Sequence, residues 1–297
     1  MQASALLGRP GPVLVATAGI GLLSIMDAVV KHVSGGIPTW EIVLLRYLFG
    51  TACALPLFLA GGLRLPPAEA LRAHLLRSIV IVLTAATFFY ALSVLPLAVT
   101  LALSFTSPIM IAALARLSLG ERPTAGVLLA IGIGFAGVLT VLLGELDRSG
   151  SGTVWGILAA TAAAGFYAIS MVSLKARAAR DPIATIVLLQ NACAALLVTP
   201  LGLWVWLPPT ATDLAWFAGV GLLGTAGHVA LAWAYGRAQA SRLGAIEYTA
   251  FVWAAGLGFL VFGEVPSPAT LAGAAMIIAG ALVAARAGQP GARVVEA

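Results

Sequence analysis

A few polar and ionisable side chains recur at helical spacing inside long apolar stretches. Thr17, Ser24, Asp27 and Lys31 follow one another at steps of 7, 3 and 4, so one helix face carries all four. Asp27 and Lys31 can form an i, i+4 pair that gates or anchors the helix, or Asp27 can hold an ammonium group or a proton. Glu41 and Arg46 share the next stretch. Arg46 keeps its charge in any protein setting, so it either bridges helices or binds a carboxylate. His228 shares a stripe with Gly221, Gly224 and Tyr235, and is either a packing residue or a carboxylate and proton partner. A carboxyl group buried at Glu247 suits a proton carrier or an ammonium binder, unless Arg242 or Arg46 pairs with it. Further candidates are Thr87 and Tyr90; Thr100, Ser104 and Ser107; and Tyr167 and Ser170. Hydroxyls in apolar helices line cavities or join packed helices. A wall of tyrosine and serine with little fixed charge suits a zwitterion or a flat apolar solute, and suits a phosphate poorly.

Catalytic constellations are missing from this set. There is no His-Glu-x-x-His, paired-Asp motif or Ser/Lys dyad, and His32, His74 and His228 lie on different segments. No phosphate-binding G-x-x-x-x-G-K-[ST] run exists, since neither Lys31 nor Lys175 follows a glycine. An enzyme is therefore not expected, nor is a cofactor, a metal or a nucleic-acid partner. Glu121 and Glu264, each two residues before a proline, read as helix caps. Cys53 and Cys193 read as small packed side chains rather than a disulfide.

Only 9% of the 297 residues are charged and 61% are hydrophobic. A soluble domain has about 25% charged residues, so most of this surface must meet lipid. The lipid bilayer and a small-molecule solute are the expected partners. Ten apolar segments can be read, at about 12–33, 38–60, 71–94, 97–118, 123–143, 153–176, 183–206, 212–236, 243–262 and 267–286. Ten helices of about 20 residues each leave no room for a large soluble domain. The runs are too long and too evenly apolar for barrel strands. Pro56 and Pro200 fall inside segments, as does Pro108, where a missing backbone bond permits a hinge. Phe251 replaces Pro108 in the second half, which predicts unequal bending.

The segments repeat. At a shift of 144, residues 16–57 match 160–201 at 13 of 42 positions, including Lys31 with Lys175 and Pro38 with Pro182. At a shift of 143, residues 91–139 match 234–282 at 13 of 49, including Thr106 with Thr249 and Gly120-Glu121 with Gly263-Glu264. The halves are residues 1–148 and 149–297. Five helices per half is odd, so the halves enter the membrane in opposite senses, a signature of secondary transporters. Cationic residues fix the orientation. With the N-terminus cytoplasmic, 13 Lys and Arg fall inside, Arg77 among them, and Lys31 and Arg148 fall outside. Both termini are then cytoplasmic.

This pattern resembles the EamA-type branch of the drug/metabolite transporter superfamily along nearly the whole chain. The resemblance rests on the two five-helix repeats and on Arg46 in Leu44-Leu45-Arg46-Tyr47. It rests also on the run from Pro108 through Gly120-Glu121-Arg122-Pro123 to Gly132 and Ala136-Gly137, echoed by Gly263-Glu264 through Ala279-Gly280. Gln190 and Phe251 depart from it in the second half. The resemblance implies an all-α exporter of the bacterial cytoplasmic (inner) membrane, with amino-acid exporters, aromatic ones included, as the nearest match. It further implies a central cavity walled by segments 1, 3, 4, 6, 8 and 9. The expected function is export of small metabolites, foremost neutral or aromatic amino acids, by alternating access. The solute gradient, or protons through Asp27 or Glu247, would drive it. The alternative is proton-coupled efflux of lipophilic cations. Asp27, Thr87, Tyr90, Ser104, Ser107, Tyr167, Ser170, His228, Tyr235 and Glu247 are the expected binding residues, with Lys31, Arg46 and Pro108 in gating or structural roles.

Overall fold

Apolar runs bounded by proline, glycine and serine become helices in the computed structural model, which describes residues 11–62, 66–95, 97–104, 106–146, 153–178, 180–263, 265 and 267–287. All regular structure among them is helical. The first half holds α1 (Pro12–Val33), α2 (Thr39–Ala60), α3 (Ala68–Val94), α4 (Leu97–Ser104), α5 (Ser107–Leu119) and α6 (Ala125–Leu146). The second holds α7 (Thr153–Ala178), α8 (Ile183–Trp204), α9 (Ala211–Tyr235), α10 (Ala240–Ile246), a 3-10 turn (Glu247–Thr249), α11 (Ala250–Phe262) and α12 (Pro268–Ala287). Among the described residues, seven stretches are long and apolar enough to cross a membrane. Three shorter apolar helices, Ser107–Leu119, Ala125–Gly137 and Leu271–Gly280, fall where three further segments were expected. Leu117, Trp204 and Leu260 are among the many large apolar side chains left exposed, as a lipid-facing surface requires.

Local sequence explains the boundaries. Pro38, Pro67 and Pro182 precede α2, α3 and α8, and Pro12 opens α1, where a missing N–H is harmless. Thr210 and Asp213 form a reciprocal cap on α9. Gly120 and Gly263 end α5 and α11 at φ +67, the left-handed conformation that favours glycine. Pro56 and Pro200 lie inside α2 and α8, as expected.

The expectation of one hinge at Pro108 is corrected. The fourth segment is interrupted before α5, and Pro108 sits in the first turn of α5, where it fits without bending a helix. The ninth segment is interrupted at the same repeat position by the 3-10 turn, although Phe251 stands there instead of proline. The shared residue is threonine. Thr106 Oγ1 donates to Leu103 O at 3.1 Å and Thr249 Oγ1 donates to Ile246 O at 2.8 Å. Each hydroxyl satisfies a carbonyl near the interruption, so both halves break without a common proline.

Packing follows a pseudo-two-fold relation. Helices α2 and α8 correspond under the repeat and pack together, as do α6 and α12; the α1–α9 pair is mirrored by α7–α3. The halves also run oppositely. Lys31 meets Leu95 at the C-terminal end of α3, whereas Asp181, just after α7, meets His74 near the N-terminal end of α3. These contacts are separated by about 30 Å along the helix.

Candidate functional site

An interior cavity of about 180 Å³ lies where α1, α2, α3 and α7 converge with the two interrupted segments. An engineered void left by a deleted large side chain is about 150 Å³ and dry. This chamber differs because polar groups line it. Asp27, Ser24, Arg46, Ser104, Ser107, Tyr167, Ser170, His228 and Glu247 face it, among Tyr47, Phe88, Phe89, Met26 and Met171. All six expected segments contribute. Helix α2 adds a wall that the resemblance did not imply, through Arg46 and Tyr47.

Arg46 is 2% exposed. Its Nη1 donates to Asn191 Oδ1 at 3.1 Å, and its guanidinium lies 4.3 Å from the centre of the Tyr47 ring. Room for it comes from Gly224, where an added Cβ would stand 2.9 Å from both Arg46 Nη2 and Met26 Sδ. His228 Nδ1 is 2.7 Å from Gly224 O and 3.5 Å from Arg46 Nη2. The short contact to a carbonyl makes Nδ1 the donor, which leaves Nε2 to accept. Glu247 sits on the 3-10 turn, 5% exposed, where the interrupted helix brings backbone and carboxylate to the cavity. Tyr235 donates to its Oε1 at 2.7 Å, and Tyr167 is a second donor. The pairing of Glu247 with Arg242 or Arg46 is thus replaced by two tyrosines. The cavity can therefore offer two carboxyl groups to a cation and one guanidinium to an anion, beside aromatic rings.

Several expected residues sit elsewhere. Thr87 bonds to Leu83 O and Tyr90 is 39% exposed, so neither lines the cavity. The inward stripe of α3 is Ile81, Thr84, Ala85, Phe88 and Phe89, and at 3.6 residues per turn Thr87 and Tyr90 fall off it. Tyr235 is fully buried behind Glu247. Thr100 is buried and reaches Ala91 O. Pro108 is buried but does not face the chamber. The Asp27–Lys31 pair does not form; Lys31 Nζ donates to Leu95 O at 3.3 Å and lies 5.5 Å from the Phe262 ring centre, while Asp27 turns to the cavity. An added Cβ at Gly132 or Gly219 would meet nothing within 4 Å, so no close helix approach depends on either glycine.

Glu121 is a cap, but for the other half. Its carboxylate accepts from the backbone N–H of Ala240 at 3.1 Å and of Ser241 at 3.4 Å, at the start of α10. Glu264, Arg9, Arg64, Arg148 and Arg293 lie outside the described residues.

Arg77 corrects another expectation. It is not a loop charge: it is 4% exposed inside α3, donating to Ser170 O at 3.3 Å and to Gln190 Oε1 at 3.0 Å. Sequence reasoning also missed Tyr47, Thr84, Phe88, Phe89 and Asn191. Asn191 was detectable, since it occupies the repeat position of Tyr47 on the helix that packs against α2.

A two-repeat helical frame around a polar cavity at paired helix breaks defines a membrane carrier. The EamA-like transporter family matches residues 10–143 and 154–286, and this chain belongs to it. It is an integral transporter of the inner membrane, moves small metabolites, and is not an enzyme. The chain is similar to the pseudopaline exporter of Pseudomonas aeruginosa, 29% identical over 92% of this chain and 95% of that protein. It is similar to the S-adenosylmethionine uptake transporter of Rickettsia bellii, at 23% over 88% of this chain and 90% of that one. The riboflavin transporter of Brucella anthropi is 28% identical over 83% of this chain and 88% of its own length. A solved crystal structure superposes with a TM-score of 0.78 at 21% identity, covering 93% of this chain and 99% of that chain, which shows the shared fold.

Proposed function

We propose that this carrier exports amino-acid-like metabolites, neutral or aromatic in their side groups, through ten spans by alternating access of the halves 1–148 and 149–297, with both termini cytoplasmic. One observation carries the reading: a single chamber holds Asp27 and Glu247 together with Arg46, and its remaining wall is largely apolar and aromatic. An ammonium group is suited to the carboxyl groups, a carboxylate to Arg46, and a flat side group to Phe88 and Phe89. S-adenosylmethionine, the solute named for one relative, carries an amino-acid group, and riboflavin, named for another, carries a flat ring. A lipophilic cation fits less well, because Arg46 would face it across the same cavity.

The test is counterflow in proteoliposomes of the purified chain. Vesicles preloaded with unlabelled amino acids are expected to take up labelled phenylalanine, with or without a proton gradient. No amino-acid exchange, together with uptake of ethidium driven by a proton gradient, would overturn the reading in favour of cation efflux.

A further inference from the structure

Four buried side-chain polar atoms have no hydrogen-bond partner among the described residues, and three of them, His74 Nδ1, Arg77 Nη1 and Gln190 Nε2, lie between α3 and α8. Arg77 and Gln190 are 4% and 2% exposed. One hydrogen bond already joins them, from Arg77 Nη2 to Gln190 Oε1 at 3.0 Å. That bond orients both groups. It spends the amide oxygen and leaves a guanidinium N–H and an amide N–H as neighbouring donors. Arg77 has no carboxylate partner among the described residues: Asp181, on the same seam, is held by His74 at 2.9 Å and by Arg177 at 2.7 and 2.9 Å. The pair adjoins the cavity. Ser170, whose carbonyl accepts from Arg77, lines the chamber, and so does Ile81, one turn along α3. A buried cation with an unfilled donor, hydrogen-bonded to an amide that also has one, suits the chemistry of a carboxylate with two acceptor oxygens.

We propose that Arg77 and Gln190 form a second subsite, which takes a carboxylate of the solute one helical turn from the central cavity, towards the His74–Asp181 end of α3. It rests on the reading of this chain as a carrier of carboxylate-bearing metabolites. Arg77, on the cytoplasmic side of the chamber, is the first carboxylate position, and the solute passes its acid group from Arg77 to Arg46 as it enters.

Benzoate, titrated calorimetrically into the purified full-length protein, probes the subsite without assuming the natural solute. Two binding events are expected. Gln190→Glu places the protein's own carboxylate against Arg77 at nearly constant volume, so Tm should hold or rise while one event weakens by at least about tenfold. Gln190→Met, which keeps the volume but removes the amide donor, should weaken the same event by a smaller factor. Arg46→Gln should remove the other. Benzoate binding that is unchanged in both Gln190 variants would overturn the subsite, as would a single event that vanishes with Arg46→Gln. Counterflow separates the two readings. If the wild type exchanges phenylalanine and Gln190→Glu matches it, the subsite fails while the carrier reading stands. If the wild type exchanges no amino acid but the benzoate pattern holds, the amino-acid reading fails and the subsite stands.

Discussion

In the first half Lys31 donates to Leu95 O; in the second, Lys175 donates to Ala238 O at 2.7 Å, and Ala238 is the repeat counterpart of Leu95. Thr106 and Thr249 satisfy equivalent carbonyls, and Gly120 and Gly263 end equivalent helices at the same φ. The groups around the cavity show no such matching. Asp27 corresponds to Met171, Arg46 to Gln190, Glu247 to Ser104, His228 to Ala85 and Tyr167 to Leu23. The duplication has kept the contacts that set the backbone and discarded symmetry in the groups around the cavity. This is physically reasonable. In carriers built from inverted repeats, similar frames let the halves exchange roles between outward and inward states, whereas a solute with unlike ends is held best by unlike walls.

The largest effect should come from the arginine position. Arg46→Gln gives the first half the residue of the second, and removes a buried charge-assisted bond to Asn191 and the stacking on Tyr47. A loss of about 2–3 kcal/mol in stability is expected, read as a lower Tm, together with loss of phenylalanine counterflow. Gln190→Met at the matched position should cost about 1 kcal/mol, since it removes one acceptor from Arg77. Equal losses would mean that the two positions are still equivalent and that the comparison is wrong.

Glu247 and Ser104 sharpen it further. Glu247→Gln keeps an acceptor for Tyr235, so Tm should hold, while the initial rate of counterflow falls by about tenfold, or ~1.4 kcal/mol. Ser104 bonds back to Thr100 O at 2.8 Å, and Ser104→Ala should change the rate by about twofold or less. A serine variant as damaging as the glutamate variant would place the chemistry in both halves alike.

Much of the frame was legible in the sequence because it depends on strong local signals. Proline at helix starts, glycine at their ends and the apolar runs placed the helices within a few residues. The shared Thr106 and Thr249 were visible as identities, but their role was not, because the break is a backbone event that proline seemed better able to explain. Of the groups that line the cavity, Asp27, Ser104, Ser107, Tyr167, Ser170, His228 and Glu247 were picked out by asking which polar groups stood in apolar helices. Thr87 and Tyr90 were misplaced by the same question, since a hydroxyl can bond to its own helix, and a tyrosine can face lipid. Arg77 was hidden for a different reason. Near a helix start an arginine reads as an interfacial charge, and only the packing of α3 against α7 and α8 turns it inward. Helical phase around one stripe needs a neighbour to fix it, and composition this apolar marks no face.

The smallest effects are expected where the halves agree. Lys31→Met and Lys175→Met each keep the apolar stem and remove one ammonium-to-carbonyl bond. Each should lower stability by about 1 kcal/mol. Thermal unfolding of the two single variants and the double variant checks this. The two contacts lie towards opposite ends of the helical body and share no partner, so their effects should add within ~0.5 kcal/mol. A coupling well above that would show that each end senses the contact at the other. The lysines would then cease to be two independent copies of one anchor, and the matched frame would itself carry the signal between the two faces of the carrier.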